Sequence, residues 1–283
     1  VFNLVNGDGA GVGSQLSRHE DVAMISFTGS TRAGKAISAA AAETLKRVTL
    51  ELGGKGANVI FADADEKAVK RGVIHCMNNS GQSCNAPTRM LVERSIYDQA
   101  VETAAEVAGK IGVGPATEPG RHIGPVVNKS QWGKIQDMIE VGIKEGARLV
   151  AGGPGLPEGM NKGYYVRPTV FADVDNQMRI AREEIFGPVL SIIPFEDEKQ
   201  AVEIANDTPY GLTNYVQSQD GAKRNRMARA LRSGMVEMNG QARSAGSPFG
   251  GVKMSGRERE GGVWGIEEFL EVKAISGWSG DAS

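Results

Sequence analysis

Regular alternation of strand-like and helix-like segments is the feature that most restricts the fold of this chain. Short apolar runs such as 57–61 and 189–193 are separated by segments of roughly 10–15 residues with helical periodicity. Strands joined by helical crossovers lie parallel, and a parallel sheet needs cover on both faces. The sequence therefore predicts an α/β fold with a mostly parallel sheet.

One of the two cysteines lies in a turn between two such segments. A helix pattern precedes Cys84 and a strand-like run follows it. Gly81 permits close backbone approach at this junction, and Pro87 prevents the helix from continuing. Nearby backbone N–H groups would favour a thiolate, which makes Cys84 a candidate nucleophile. The alternative is an inert buried cysteine, and Cys76, on the apolar face of the preceding helix pattern, is an example.

A second predicted junction carries a carboxylate side chain. Glu51 lies where the strand-like run 47–49 gives way to Gly53 and Gly54. A thiolate can attack an aldehyde carbonyl, the backbone N–H of Cys84 can stabilise the oxyanion, and a carboxylate can activate water to hydrolyse the resulting thioester. Given a hydride acceptor, this pair suffices to oxidise an aldehyde to an acid. Considered alone, Glu51 could instead be a salt-bridged carboxylate at a strand end.

A third junction is compatible with phosphate binding. The strand-like run 22–27 leads into Gly29 and Ser30, and an alanine-rich helix pattern follows over 32–44. The N-terminus of a helix presents unpaired N–H groups and the positive end of its dipole. A strand–helix turn without a ligand is the alternative, because the chain has no GxGxxG pattern here.

Six motifs occur in the order typical of the NAD(P)-dependent aldehyde dehydrogenase superfamily, which the chain resembles over nearly its whole length. They span residues 27–31, 51–55, 81–84, 183–188, 206–212 and 248–256. The resemblance implies a catalytic domain with the aldehyde dehydrogenase fold, an aldehyde substrate and NAD or NADP as cofactor. It also implies that Cys84 is the nucleophile and that Glu51 activates water.

The same resemblance implies roles for five cofactor-site residues. Gly29 and Ser30 are similar to the residues at the cofactor pyrophosphate, and Leu52 to the residue whose carbonyl lies near the carboxamide. Glu184 resembles the carboxylate that holds the nicotinamide ribose, and Phe186 resembles the aromatic wall beside the nicotinamide. A solvated carboxylate and a core phenylalanine are the alternatives for the last two.

The resemblance also sets the expected domain organisation. Residues 1–52 resemble the trailing half of a Rossmann-like cofactor domain, and 53–264 the catalytic domain. Residues 265–283 form a tail whose strand, 271–276, is expected to pair with another subunit in a homodimer or homotetramer. Family members carry further elements ahead of the region that corresponds to Val1, including an oxyanion-donating asparagine and residues that hold the adenosine ribose. These are not in the chain.

Two alternatives to the aldehyde-oxidising function stay open. In a CoA-acylating semialdehyde dehydrogenase, CoA would take the acyl group, although Glu51 argues against this because that reaction needs no water-activating base. A catalytically silent fragment, without a complete cofactor site, is the other. The chain also departs from the family pattern at 257–260, where Arg-Glu-Arg-Glu replaces a small residue or two before Gly-Arg-Glu. The shape of that loop is therefore left open.

Composition restricts the remaining function classes. The chain has 283 residues, 40% of them hydrophobic, and a net charge of −2 without a basic run, so neither nucleic acid nor a membrane surface is an expected partner. No leader or apolar run of membrane-spanning length is visible. Two cysteines cannot build a disulfide framework, which favours a reducing, cytoplasmic setting. No metal site is predicted.

Overall fold

The computed structural model describes residues 1–277, and within that range the chain forms eleven strands and nine α-helices. The strands are β1 Met24–Thr28, β2 Arg47–Glu51, β3 Ala57–Ile60, β4 Arg89–Glu93, β5 Gly112–Val113, β6 His122–Ile123, β7 Arg148–Ala151, β8 Thr169–Ala172, β9 Val189–Phe195, β10 Thr213–Gln217 and β11 Met235–Met238. The helices are α1 Ser14–Arg18, α2 Thr31–Ala42, α3 Ala68–Met77, α4 Tyr97–Gly109, α5 Lys129–Lys144, α6 Arg179–Arg182, α7 Glu198–Asn206, α8 Gly221–Ala230 and α9 Gly262–Glu267.

Seven strands form the central sheet, in the order β11-β10-β3-β4-β9-β8-β7. All neighbouring strands run parallel except β7 and β8, which are antiparallel. Strands that follow one another along the chain are mostly linked through helices, as parallel pairing requires. The prediction of an α/β fold with a mostly parallel sheet is confirmed.

The core lies on both faces of this sheet because successive side chains of a strand point to opposite faces. On β4, Leu91 packs with Ile135 and Ile139 of α5, whereas Met90 and Val92 join the core beneath α3 and α4. The buried strands therefore read as continuous apolar runs in the sequence.

A separate two-stranded sheet carries the predicted junctions at Glu51 and at Gly29 and Ser30. β1 and β2 pair in parallel, with Thr28 beside Glu51. The carboxyl ends of both strands therefore meet at one edge, where Gly29 and Ser30 follow β1 and Leu52 follows β2. The domain boundaries at residues 52 and 264 stay predictions.

Two stretches differ from the pattern expected from the sequence. The strand-like run 165–174 forms a shorter strand, β8, which begins after Pro168, a residue without an N–H to donate to a ladder. The glycine-rich stretch 112–128 contains the short parallel pair of β5 and β6 within its loop. Strand propensity alone sets neither boundary, because pairing depends on which backbone edge lies within reach.

The predicted tail strand over 271–276 is not formed within the described residues. α9 ends at Glu267, and the segment from there to residue 277 is irregular and largely exposed. A strand needs a hydrogen-bonded neighbour, and none of β1 to β11 pairs with this segment. The homo-oligomer stays a prediction, and residues 278–283 of the expected tail lie outside the described range. Between residues 1 and 277, no helix has both the length and the apolar character needed to cross a bilayer.

Candidate active site

Glu51 ends β2 with a buried side chain, and neither of its carboxylate oxygens has a hydrogen-bond partner among residues 1–277. The carboxylate borders a cavity of 230 Å³ that the segment 258–261 and Glu268 help to line. Burial, followed by the negative charge of Glu260, raises the pKa of Glu51 from 4.5 to about 8. A carboxylate in this state can exchange a proton near neutral pH, as a general base must.

Cys84 lies in the loop between α3 and β4, as the sequence predicts. Three successive residues shortly before it, Asn79, Ser80 and Gly81, have positive φ angles of 52°, 56° and 70°. A Cβ on Gly81 would lie 2.1 Å from the carbonyl oxygen of Gly187, so only glycine allows this approach. The turn is therefore pressed against the loop that carries the predicted cofactor residues 184 and 186.

The protonation of Cys84 corrects an expectation from the sequence. The N–H groups of Cys84 and Asn85 do lower the pKa of the thiol, but burial and then the charge of Glu184 raise it by more. The net shift is upward, so the site without ligands favours the thiol rather than the thiolate. Desolvation decides the direction of the pKa shift of Cys84, and the sequence does not show how strongly the thiol is desolvated.

Gly53 and Gly54 bring Glu184 next to the backbone of Cys84. The N–H of Gly54 donates to Oε1 of Glu184 at 2.9 Å. A Cβ on Gly54 would lie 2.3 Å from the carbonyl oxygen of Cys84, and a Cβ on Gly53 would lie 2.3 Å from Oε2 of Glu184. The two glycines that follow Glu51 are therefore required by the close approach of three loops.

Two side chains of α5 hold the loop of Glu184 and Phe186. Nε2 of Gln131 donates to the carbonyl oxygens of Ile185 and Phe186, at 2.8 and 2.9 Å, and Nζ of Lys134 donates to the carbonyl oxygen of Glu184 at 2.7 Å. Phe186 has a positive φ of 57°, a conformation that costs on the order of 1 kcal/mol or more and needs such support. Neither α5 residue belongs to a motif that sequence reasoning identified.

Gly29, Ser30 and Leu52 lie at the shared carboxyl edge of β1 and β2. The N–H of Gly29 donates to the carbonyl oxygen of Glu51 at 3.0 Å, and the hydroxyl of Ser30 caps the exposed N-terminus of α2. Leu52 is buried, and its N–H donates to the carbonyl oxygen of Ser255 at 3.0 Å. The structure thus brings the predicted pyrophosphate and carboxamide residues to the same edge as Glu51.

The motifs at 206–212 and 248–256 are joined to each other and to the backbone of Gly53 by hydrogen bonds. Oγ of Ser255 donates to the carbonyl oxygen of Gly53 at 2.6 Å and accepts the N–H of Gly211 at 3.0 Å. Nζ of Lys253 donates to two carbonyl oxygens of the first motif at 2.9 Å. Both motifs fix backbone positions here, in agreement with a scaffold role.

A cavity of 760 Å³ adjoins the Cys84 loop. Its wall includes Asn85, whose carbonyl oxygen accepts the hydroxyl of Tyr215 at 2.6 Å, and His75, which packs edge-on against that ring at 5.0 Å. Three cationic residues also line it, namely Lys67, Lys70 and Arg71. Lys67, Lys70, Arg71 and His75 share one face of α3, a spacing that the sequence does show, whereas Asn85 and Tyr215 come from other elements and only the tertiary structure joins them to that face.

The two cysteines should differ sharply in reactivity. Cys76 is fully buried, and burial raises the pKa of its thiol to about 12, whereas Cys84 is partly exposed. We expect iodoacetamide to modify Cys84 much faster than Cys76 in the folded protein, because the rate follows thiolate fraction and access. Mass spectrometry of tryptic peptides over time measures both rates. In denaturant the rates should converge, and equal rates in the folded protein would contradict the assignment.

Comparison with known proteins places this geometry in a family. The model of the aldehyde dehydrogenase family matches residues 1–275. The 3-succinoylsemialdehyde-pyridine dehydrogenase of a Pseudomonas species is 53% identical over 281 residues, which cover 99% of this chain and 59% of that protein. A putative aldehyde dehydrogenase of Staphylococcus aureus is 50% identical, with 98% and 59% covered. The chain thus spans well under two thirds of the length of these relatives.

Solved structures agree with the sequence comparison. An aldehyde dehydrogenase from Bartonella henselae has a TM-score of 0.97 and 68% identity, covering 98% of this chain and 58% of that one. A mutant of aldehyde dehydrogenase C from Pseudomonas syringae, complexed with NAD⁺ and octanal, has a TM-score of 0.96 and 49% identity, covering 100% and 58%. Fold, motif order and sequence identity agree, and the chain belongs to the aldehyde dehydrogenase family.

Proposed function

We propose that this protein oxidises an aldehyde to a carboxylic acid, with NAD or NADP as the hydride acceptor. The observation that carries the proposal is the contact of three loops at Gly53 and Gly54, the second and third residues after Glu51. At this contact Glu184 lies next to the backbone of Cys84. A thiol, a poised carboxylate and a ribose-type acceptor are thereby gathered at one edge of the fold. The aldehyde would enter through the 760 Å³ cavity beside Asn85.

The residues at this edge fit a dinucleotide. The exposed N-terminus of α2, at Gly29 and Ser30, offers unpaired N–H groups to a pyrophosphate. Glu184 is a half-buried acceptor for ribose hydroxyls, Phe186 offers a half-buried ring to a nicotinamide, and Leu52 offers its carbonyl to the carboxamide. When bound, the cofactor supplies the acceptor for the hydride that leaves the substrate carbon. The NAD⁺ complex of the Pseudomonas syringae relative is consistent with this assignment.

The residues of this chain then perform two covalent steps. The thiol proton of Cys84 passes to solvent water, and the sulfur forms a bond to the aldehyde carbon as the carbonyl π bond opens, while the N–H of Cys84 donates to the resulting oxyanion. After loss of hydride, the acyl group is held as a thioester. Glu51 takes a proton from water as the water oxygen attacks the thioester carbon, the C–S bond breaks and the acid leaves. Because CoA-dependent acyl transfer needs no water-activating base, Glu51 favours hydrolysis over that alternative.

Glu51→Gln separates the two covalent steps, because glutamine keeps the size of the side chain but cannot accept the proton. We expect this variant, in the protein expressed from its own gene, to give a burst of reduced cofactor followed by turnover slower by roughly 10²-fold or more. Stopped-flow absorbance of the reduced nicotinamide measures both phases. Unchanged steady-state turnover would assign water activation to another residue, and absence of dinucleotide binding would favour a catalytically silent chain.

The pH dependence gives an independent check on Glu51. Its ionised form is the base, and a pKa of about 8 leaves only about one tenth of it ionised at pH 7. The hydrolysis rate should therefore rise with pH and level off above about pH 8. Single-turnover rates across pH test this, and Glu51→Gln should lose that limb of the profile.

A further inference from the structure

The segment 255–260 runs along the open edge of β2, next to Glu51. In a strand, the N–H groups of alternate residues point to the same edge. β1 occupies one edge of β2, and the N–H groups of Leu50 and Leu52 point to the other. The N–H of Leu52 donates to the carbonyl oxygen of Ser255 at 3.0 Å, and that of Leu50 donates to Oε2 of Glu258 at 3.2 Å. The Glu258 carboxylate thus replaces the carbonyl that a neighbouring strand would supply.

Glu258 is also fixed within its own loop. The same Oε2 atom accepts the N–H of Arg257 at 3.1 Å, and Nη1 of Arg259 donates to the carbonyl oxygens of Gly251, Arg257 and Glu258 at 2.6, 3.0 and 2.8 Å. These bonds close the segment into a tight loop. Its start is held to β2 by the bond from Leu52 to Ser255, and its middle by the bond from Leu50 to Glu258.

The closed loop packs directly on the Glu51 carboxylate. A Cβ on Gly250 would lie 2.3 Å from the carbonyl oxygen of Glu258 and 2.8 Å from Oε1 of Glu51, so both groups press on the same glycine. The charged or titratable groups that face Glu51 from the surrounding elements are Glu258, Arg259, Glu260, Glu268 and the Cys84 thiol. Displacement of the loop would therefore change both the packing and the electrostatic surroundings of the base.

We propose that Glu258 is a positioning residue for Glu51: its carboxylate accepts the Leu50 N–H, which ties the loop to β2, and it adds a negative charge beside the Glu51 carboxyl. This rests on the proposed function of Glu51 as the base. The loop is the stretch where the sequence departs from the family pattern, so the anchor depends on a side chain that the family motif does not contain. Its charge is one of the causes that raise the pKa of Glu51, after burial and Glu260.

Two substitutions distinguish the hydrogen bond between Leu50 and Glu258 from the effect of the negative charge of Glu258. Glu258→Gln keeps an acceptor oxygen for the Leu50 N–H and removes the charge, whereas Glu258→Ala removes both. Glu102→Gln, on the exposed face of α4, is the matched control for loss of one carboxylate. If Glu258→Ala fails to fold, Glu258→Gln alone still tests the charge.

The first readouts need no activity. Hydrogen exchange of the Leu50 amide should be roughly tenfold faster in Glu258→Ala and unchanged in Glu258→Gln, because only the former loses the acceptor. The side-chain carbon of Glu51, assigned by its absence in Glu51→Gln, should titrate by NMR with a lower midpoint in both Glu258 variants than in the wild type and Glu102→Gln. An unchanged Glu51 midpoint in Glu258→Gln, or unchanged Leu50 exchange in Glu258→Ala, would overturn the proposal.

Kinetics then connect positioning to the reaction. Thioester hydrolysis in Glu258→Gln should keep its plateau rate, with the rising limb of the pH profile moved to lower pH. Glu258→Ala should lose plateau rate without a change in KM, and the glutamine variant should restore it. A wild type that oxidises no aldehyde would refute the proposed function, while the exchange and titration results would still decide whether Glu258 positions Glu51.

Discussion

Replacement of Cys84 by serine is expected to reduce aldehyde oxidation by about 10³-fold or more. The serine hydroxyl is far less acidic than a thiol. Within the described part of the chain the Glu51 carboxylate makes no hydrogen bond, so it holds no contact with residue 84 through which it could deprotonate a serine. Dinucleotide binding should persist, because Gly29, Ser30 and Glu184 are unchanged. The rate of cofactor reduction and a fluorescence titration of the dinucleotide measure the two quantities separately.

The matched control for this variant is Cys76→Ala. Cys76 is buried on the core-facing side of α3, and its thiol donates to the carbonyl oxygen of Val189 at 3.9 Å. We expect near-normal turnover with a loss of about 1 kcal/mol in the free energy of unfolding. If Cys76→Ala abolished oxidation while Cys84→Ser did not, the assignment of the nucleophile would be reversed.

The largest effect on stability is expected from Arg89→Ala. Arg89 is fully buried at the start of β4, and its guanidinium donates at 2.8–3.0 Å to the carbonyl oxygens of Lys55, Ile204 and Ala205 and to Oδ1 of Asn176. Alanine would leave four acceptors, three of them in buried hydrogen bonds, without that donor and open a cavity, at a cost of about 3 kcal/mol or more. The midpoint of thermal unfolding should fall by roughly 6–12 °C.

Two companion variants identify the cause of that loss. Arg89→Met fills most of the volume but donates no hydrogen bond, so it should remain strongly destabilising if the unpaired acceptors dominate. Arg94→Ala removes an exposed ion pair with Glu196 and should change the free energy of unfolding by less than about 1 kcal/mol. A thermal midpoint for Arg89→Ala within a degree or two of the wild type would show that the acceptors find other donors.

The sequence determined the fold class because burial of a parallel sheet on both faces leaves a local signature. Continuous apolar runs, separated by helical periodicity, sufficed to predict β3, β4 and β9 and the helix α3 that leads to Cys84. The helical stripe placed Cys76 in the core, where it lies. The tail strand was not predictable in this way, because an edge such as 271–276 forms a strand only if another backbone lies beside it.

The sequence also determined which junctions between secondary-structure elements carry the candidate site residues. Cys84 and Glu51 lie at the element junctions that the glycine and proline pattern predicts, and the motif resemblance led to Ser30, Glu184 and Phe186. Their roles stay proposals. Glycine spacing is informative here because Gly53 and Gly54 can be replaced only if the approaching loops move.

Only the tertiary structure decided the electrostatics and the supports of that site. Burial outweighs two backbone N–H groups and raises the pKa of Cys84, and it raises the pKa of Glu51 to about 8. The supports from Gln131 and Lys134, and the contact of Glu258 with the Leu50 N–H, join residues that lie 50 to 208 positions apart. Desolvation and long-range hydrogen bonds depend on which surfaces are packed together, and a linear pattern records the local conformation of the chain but not that packing.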